Sequence, residues 1–128
     1  MKALLDTHAY LWWLIEPELL SPVARDILLD KDNQLVFSVV SGWEIAIKAH
    51  MGKLELPGDP EHLIPHHLRL DGIEIIPVQL SHALHTYHLP DHHRDPFDRL
   101  LVAQAQLERL PVITADPLLT RYDIQILW

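Results

Sequence analysis

The stretch His93-Arg94-Asp95-Pro96-Phe97-Asp98-Arg99-Leu100-Leu101-Val102-Ala103-Gln104-Ala105 decides how this chain is read. Asp95 has the side chain of an N-cap, and Pro96 stands at the first helical position, where a missing N–H costs nothing. Asp98 falls on the first turn, and Leu101, Val102 and Ala105 recur at helical spacing. The pattern predicts a helix buried along one side, with an acidic start near the surface. The helix dipole alone favours such acids by about 0.3–1 kcal/mol each. Whether they do more depends on what the rest of the chain brings to that helix start.

Downstream, Pro111-Val112-Ile113-Thr114 predicts a strand that ends at Ala115-Asp116; Pro117 opens a short helix, and residues 124–127 form a last strand. Upstream, residues 89–94 read as a polar loop, 81–87 as a short helix and 73–78 as a strand. Asp59-Pro60 starts a helix that continues to Leu70. Residues 34–40 are β-branched and apolar, a strand behind the turn Lys31-Asp32-Asn33. They lead into Ser41-Gly42-Trp43-Glu44, which has the Ser-x-x-Glu form of a capping box, and the helix it opens stops at Gly52. Ser21-Pro22 starts a helix to about Asp30; residues 2–5 form a first strand ending at Asp6, followed by a helix over 7–14. Short apolar strands alternating with helices predict the α/β class. The expected architecture is a three-layer α/β/α sandwich around a mostly parallel five-stranded sheet.

At 128 residues the chain is expected to be a single domain, residues 1–128, with a core that needs no disulfide or metal. It has no cysteine, which fits a reducing cytoplasm and excludes thiolate metal sites. No run approaches the roughly 18 apolar residues of a membrane span, so a soluble, cytoplasmic protein without a membrane partner is expected. The formal charge of −8 disfavours a stoichiometric nucleic-acid coat. It sits more easily with an enzyme that clusters carboxylates around divalent cations, which reverse the local field.

In an open parallel sheet the reactive crevice lies at the carboxyl ends of the strands. Asp6 ends the first strand and Asp116 follows the fourth, while Glu44 and Asp98 stand in the first turns of helices that start at the same edge. Four acids in one kind of place supply the oxygen donors of a hard cation such as Mg²⁺ or Mn²⁺. With no Cys and no spaced His among them, Zn²⁺ fits less well. Each acid also has a purely local reading: Glu44 completes a capping box with Ser41, Asp95 and Asp116 cap helices before prolines, and Asp6 or Thr7 caps the first helix.

Leu5-Asp6-Thr7-His8, Ser41-Gly42-Trp43-Glu44-Ile45 with Gly52-Lys53-Leu54, the Asp95-Pro96-Phe97-Asp98-Arg99-Leu100-Leu101 run and Ile113-Thr114-Ala115-Asp116 occur in order along the chain. Together they resemble the successive motifs of PIN-domain ribonucleases, specifically VapC-type toxins of toxin–antitoxin pairs. The resemblance implies a metal-dependent endoribonuclease with Asp6, Glu44, Asp98 and Asp116 as its acidic quartet, Asp6 and Asp98 binding Mg²⁺ or Mn²⁺ most directly. It implies single-stranded or looped RNA as substrate, products with 5′ phosphate and 3′ hydroxyl ends, a homodimer, and a VapB-type antitoxin whose basic tail covers the carboxylates. Thr114 resembles the hydroxyl residue that orients an acid. Asp95 is expected to be a cap first and a supporting carboxylate second.

Other features admit blander readings. His82, His85 and His88 recur every third residue, but no carboxylate in that run would fix their tautomers, so solvated or RNA-facing histidines are expected. Arg94 and Arg99 join a surface charge network or touch substrate phosphates. Trp12, Trp13 and Trp43 belong to the core or to a partner groove. Two rivals of other classes share these residues: a non-catalytic α/β binding module whose acids are caps, and a receiver- or phosphatase-like domain with one phosphoacceptor Asp. The second wants a cation at a late strand end, where this chain has Thr114-Ala115-Asp116.

Overall fold

The computed structural model describes residues 1–128. Five strands, β1 (Lys2–Leu5), β2 (Gln34–Ser38), β3 (Glu74–Ile76), β4 (Val112–Ile113) and β5 (Ile126–Leu127), pair wholly in parallel in the order β3-β2-β1-β4-β5. Six helices connect them: α1 (Thr7–Ile15), α2 (Pro22–Leu29), α3 (Val39–His50), α4 (Pro60–Leu70), α5 (Leu80–His85) and α6 (Pro96–Glu108).

Because successive strand residues point to opposite faces, the sheet sorts its side chains into two layers. Ala3, Leu5, Leu35, Phe37 and Ile113 face α1, α2 and α4 and join Tyr10, Ala24, Leu28 and Leu68 in the larger core. Leu4, Val36 and Val112 face the other way, against Leu101 and Ala105 of α6. Leu4, Leu5 and Ile113 are fully buried, each worth roughly 1.5–3 kcal/mol relative to exposure. A third cluster, Leu89, Val102, Ala103, Leu119 and Tyr122, pins the loop before α6 and the turn after β4 to the same helix. The predicted three-layer α/β arrangement is therefore the one observed, its sheet parallel throughout.

The order of strands places the crevice. From central β1 the chain moves outward to β2 and β3, then crosses back to build β4 and β5 on the other side. The direction reverses between β1 and β4, and in open α/β sheets ligands bind at the carboxyl ends of the strands at such a point.

Several boundaries differ from the sequence reading. β2 stops at Ser38, and Val39 and Val40, read as strand, open α3. A short β-branched run carries no periodicity that separates strand from helix. Ser38 is the N-cap, its Oγ accepting the Val40 N–H at 3.1 Å, so Ser41 and Glu44 form no capping box. Ser41 is instead buried inside α3, where its Oγ accepts from the Thr7 hydroxyl at 2.8 Å. After β4 the expected short helix is only a 3₁₀ turn, Leu119–Arg121.

Candidate active site

Asp6 leaves β1 at the N-cap position of α1 but makes no side-chain cap. Its Oδ2 accepts the Thr114 hydroxyl at 2.8 Å from the end of β4, and Thr114 Oγ1 accepts the Asp116 N–H at 3.0 Å. Glu44 sits in the second turn of α3, facing inward, with its Oε2 paired to Lys48 one turn on. Asp98 stands in the first turn of α6, which Asp95 caps by accepting the Phe97 and Asp98 N–H groups at 2.8 and 3.2 Å. Asp116 Oδ1 accepts the Leu118 N–H at 2.9 Å. His93, on the loop before α6, lies between two of the acids, its Nε2 3.0 Å from Asp98 Oδ2 and 3.1 Å from Asp116 Oδ2.

The electrostatics show how closely these groups are gathered. Burial pushes the Asp98 carboxyl up to about 8, and the charges of Asp6, Asp95, Glu44 and Asp116 all add to the rise. Asp6 is raised as well, by burial first, with the Thr114 hydrogen bond opposing. Burial alone would lower the Lys48 pKa; its hydrogen bond and charge pairing with Glu44, reinforced by Asp95 and Asp98, raise it instead. Asp6 Oδ1 and Glu44 Oε1 are buried with no hydrogen-bond partner. An unpaired buried carboxylate oxygen is expensive in a folded protein unless something positive meets it. These donors fit a divalent cation of the Mg²⁺ or Mn²⁺ kind: hard oxygens, several acids, and an excess of negative charge that a bound ion would relieve.

The local readings of the acids divide accordingly. Asp95 does cap, and Asp116 accepts the Leu118 N–H in a local turn without capping a helix, whereas Asp6 makes no side-chain cap and Glu44 lies beyond the helix start. Sequence reasoning missed His93 at this centre: it found no histidine at a fixed spacing among the acids, whereas the fold brings His93 into contact with Asp98 and Asp116. The only cue was its place two residues before the N-cap Asp95. Arg99 does not point at the acids. Its guanidinium donates to the carbonyls of Thr86, Leu89 and Pro90 and straps the loop down, while Arg94 lies exposed.

The histidine run is likewise structural in part, contrary to its reading as solvated. His82 is buried, its Nδ1 accepting the Gln79 N–H and its Nε2 2.8 Å from Glu108, a carboxylate on α6 that the run itself does not contain. His85 meets Gln106 on the same helix at 2.8 Å. Trp12 and Trp13 pack against the larger core, and Trp43 is 61 % exposed with its ring edge-on to Phe97.

Comparison with known proteins bears on the family and the fold. The family model described as PIN domain matches residues 3–125. Ribonuclease VapC16 of Mycobacterium tuberculosis is 38 % identical over 61 residues, which take in 48 % of this chain and 43 % of that relative, so the match spans less than half of the relative's length. Among solved structures, VapBC2 from Rickettsia felis, bound to a promoter DNA fragment, superposes with a TM-score of 0.74 at 16 % identity, covering 98 % of this chain and 97 % of that one. VapBC-5 from Mycobacterium tuberculosis, described as a member of the VapBC family of toxin–antitoxin systems, gives 0.62 at 18 % identity over 98 % and 96 %. At such identities the likeness is one of fold.

Proposed function

The chain belongs to the PIN-domain family, and from that premise we propose that it is a metal-dependent endoribonuclease, the toxin of a VapBC-type pair, with residues 1–128 acting as one domain in the cytoplasm. The observation that carries the reading is the pair of buried, partnerless oxygens, Asp6 Oδ1 and Glu44 Oε1, in a cluster that also crowds Asp98. Caps do not account for them.

Asp6, Glu44 and Asp98 would hold the cation, with Asp116 beside them. Bound there, Mg²⁺ or Mn²⁺ supplies the charge that polarises a phosphodiester and eases the ionisation of an attacking water. Thr114 fixes Asp6 by donating to one of its oxygens, and Lys48 does the same for Glu44. Arg99 keeps the loop that carries His93 against α6. The ribonuclease name of the Mycobacterium tuberculosis relative supports RNA as substrate.

A site this acidic also suits a cationic inhibitor. The toxin–antitoxin description of the VapBC-5 structure supports a VapB-type antitoxin as the partner, whose basic side chain would neutralise the carboxylates. A second copy of the chain is the other proposed partner: Leu80, Leu84 and Tyr87 form an apolar stripe at helical spacing, 74 %, 64 % and 88 % exposed.

The test is cleavage of a labelled, structured RNA by antitoxin-free protein in Mn²⁺, Mg²⁺ or EDTA, beside a folded Asp98→Asn variant. Cleavage that requires the ion and is abolished in the variant is expected. Inert protein on several RNAs, together with no specific Mn²⁺ binding by calorimetry, would return the acids to a binding module.

A further inference from the structure

Three of the carboxylates share one pattern of contacts, each meeting a donor group through one oxygen. Thr114 Oγ1 donates to Asp6 Oδ2 and Lys48 Nζ to Glu44 Oε2, and Asp98 Oδ2 lies 3.0 Å from His93 Nε2. The second oxygens of Asp6 and Glu44 are buried without partners, and on Asp98 only Oδ2 faces His93. Each acid is thus held through one oxygen and keeps the other free. Asp116 differs, because its Oδ2 receives the same His93 donor and its Oδ1 the Leu118 amide. Both of its oxygens are engaged.

His93 is fixed from three sides. Its Nδ1 accepts the Asp95 N–H at 3.1 Å, its own N–H donates to the Tyr122 hydroxyl at 2.9 Å, and Arg99 ties down the preceding loop carbonyls. A nitrogen that accepts an amide proton cannot also carry one, so the ring's proton is on Nε2, between Asp98 and Asp116. One ligand atom from each of His93, Asp98 and Asp116 lies within 4.8 Å of the other two, a spacing a metal could bridge. In this pose, however, the Nδ1 electron pair is spent on the amide and Nε2 presents a proton.

Taking the carboxylate centre as the cation site proposed above, we propose that His93 is a positioning residue and not a ligand. Its Nε2–H is hydrogen-bonded to Asp116 Oδ2, tying off that auxiliary acid, and stands 3.0 Å from Asp98 Oδ2, so that it holds that oxygen and Oδ1 is left for the cation. Cation binding then rests on Asp6, Glu44 and Asp98. Donors hydrogen-bonded to metal-ligating groups commonly change metal affinity by about 10–100-fold when removed, which sets the expected scale.

The experiment is Mn²⁺ titration calorimetry on the metal-stripped full chain, with pulsed electron paramagnetic resonance on the Mn²⁺ complex. His93→Ala weakens Mn²⁺ binding about tenfold or more. His93→Gln, whose side-chain amide offers a donor to the same oxygens, restores most of it. Asp116→Asn, which retains the Leu118 contact, loses far less affinity than Asp98→Asn, and the wild-type spectrum shows no nitrogen coupling that His93→Ala removes. Unchanged or tighter binding in His93→Ala would overturn the proposal, since His93 would then be neutral or an obstacle. A nitrogen coupling lost with His93 would overturn it by making the ring a ligand; His93→Gln, which also lacks the ring, supplies that comparison if the alanine variant does not fold. These outcomes leave the cation site standing, whereas a wild-type chain that binds no Mn²⁺ removes both.

Discussion

Asp98 is where burial and neighbouring charge act in the same direction, and its carboxyl is pushed up to about 8. A carboxyl raised on folding takes up a proton that the unfolded chain releases from about pH 4 upward. Its contribution to stability is therefore full below the unfolded pKa and is lost as pH rises through the folded one. The metal-free protein in EDTA is expected to lose stability from about pH 5 to pH 8, and Asp98→Asn to flatten that decline, leaving the variant more stable at pH 8 by about 2 kcal/mol. Urea unfolding across that range checks it; parallel pH profiles for the two proteins would show that Asp98 does not bear this strain. The acids were legible in the sequence because strand ends and helix starts of an α/β chain fall on one edge. His93 was not, because its place depends on a loop folding back onto α6 through Arg99 and Tyr122, which no local pattern encodes.

Among the elements, α6 begins where Asp95-Pro96 said it would, since capping is settled within four residues. α3 does not, since its start was contested between a β-branched run and a Ser-x-x-Glu pattern that is equally local. The register was decided elsewhere: starting α3 at Val39 buries Ser41 against Thr7 and turns Glu44 inward, a tertiary choice. The His82 contact with Glu108 escaped for the same reason, the two being 26 residues apart. The Asp95 cap gives a prediction at this scale. Asp95→Ala is expected to destabilise the fold by about 1 kcal/mol, whereas Asp95→Asn, an equally good cap, stays within about 0.3 kcal/mol of the wild type. Thermal unfolding of the pair measures it. If Asp95→Asn keeps stability but loses RNA cleavage, the carboxylate charge itself is needed, and Asp95 serves the centre as well as the helix.

Across the whole molecule, a parallel sheet ordered β3-β2-β1-β4-β5 delivers acids from four non-contiguous parts of a chain of net charge −8 to one crevice. Partnerless Asp6 Oδ1 and Glu44 Oε1, together with the raised Asp98, mean that this gathering opposes folding when no cation is present. A ligand that binds only the folded chain stabilises it by an amount set by its concentration relative to Kd, about 2.7 kcal/mol at 100 Kd. Mn²⁺ is therefore expected to raise the unfolding temperature progressively. Ca²⁺, which takes more ligands at longer distances, should do so less. In Asp98→Asn the metal-free protein should start higher and respond little to Mn²⁺, so the two proteins converge as the ion is added. The crossing of these trends separates a cation centre from a merely acidic surface: screening by an equal ionic strength of NaCl would stabilise both proteins alike, and a Mn²⁺ response no larger than that of NaCl would mean the fold gathers its acids without binding an ion there.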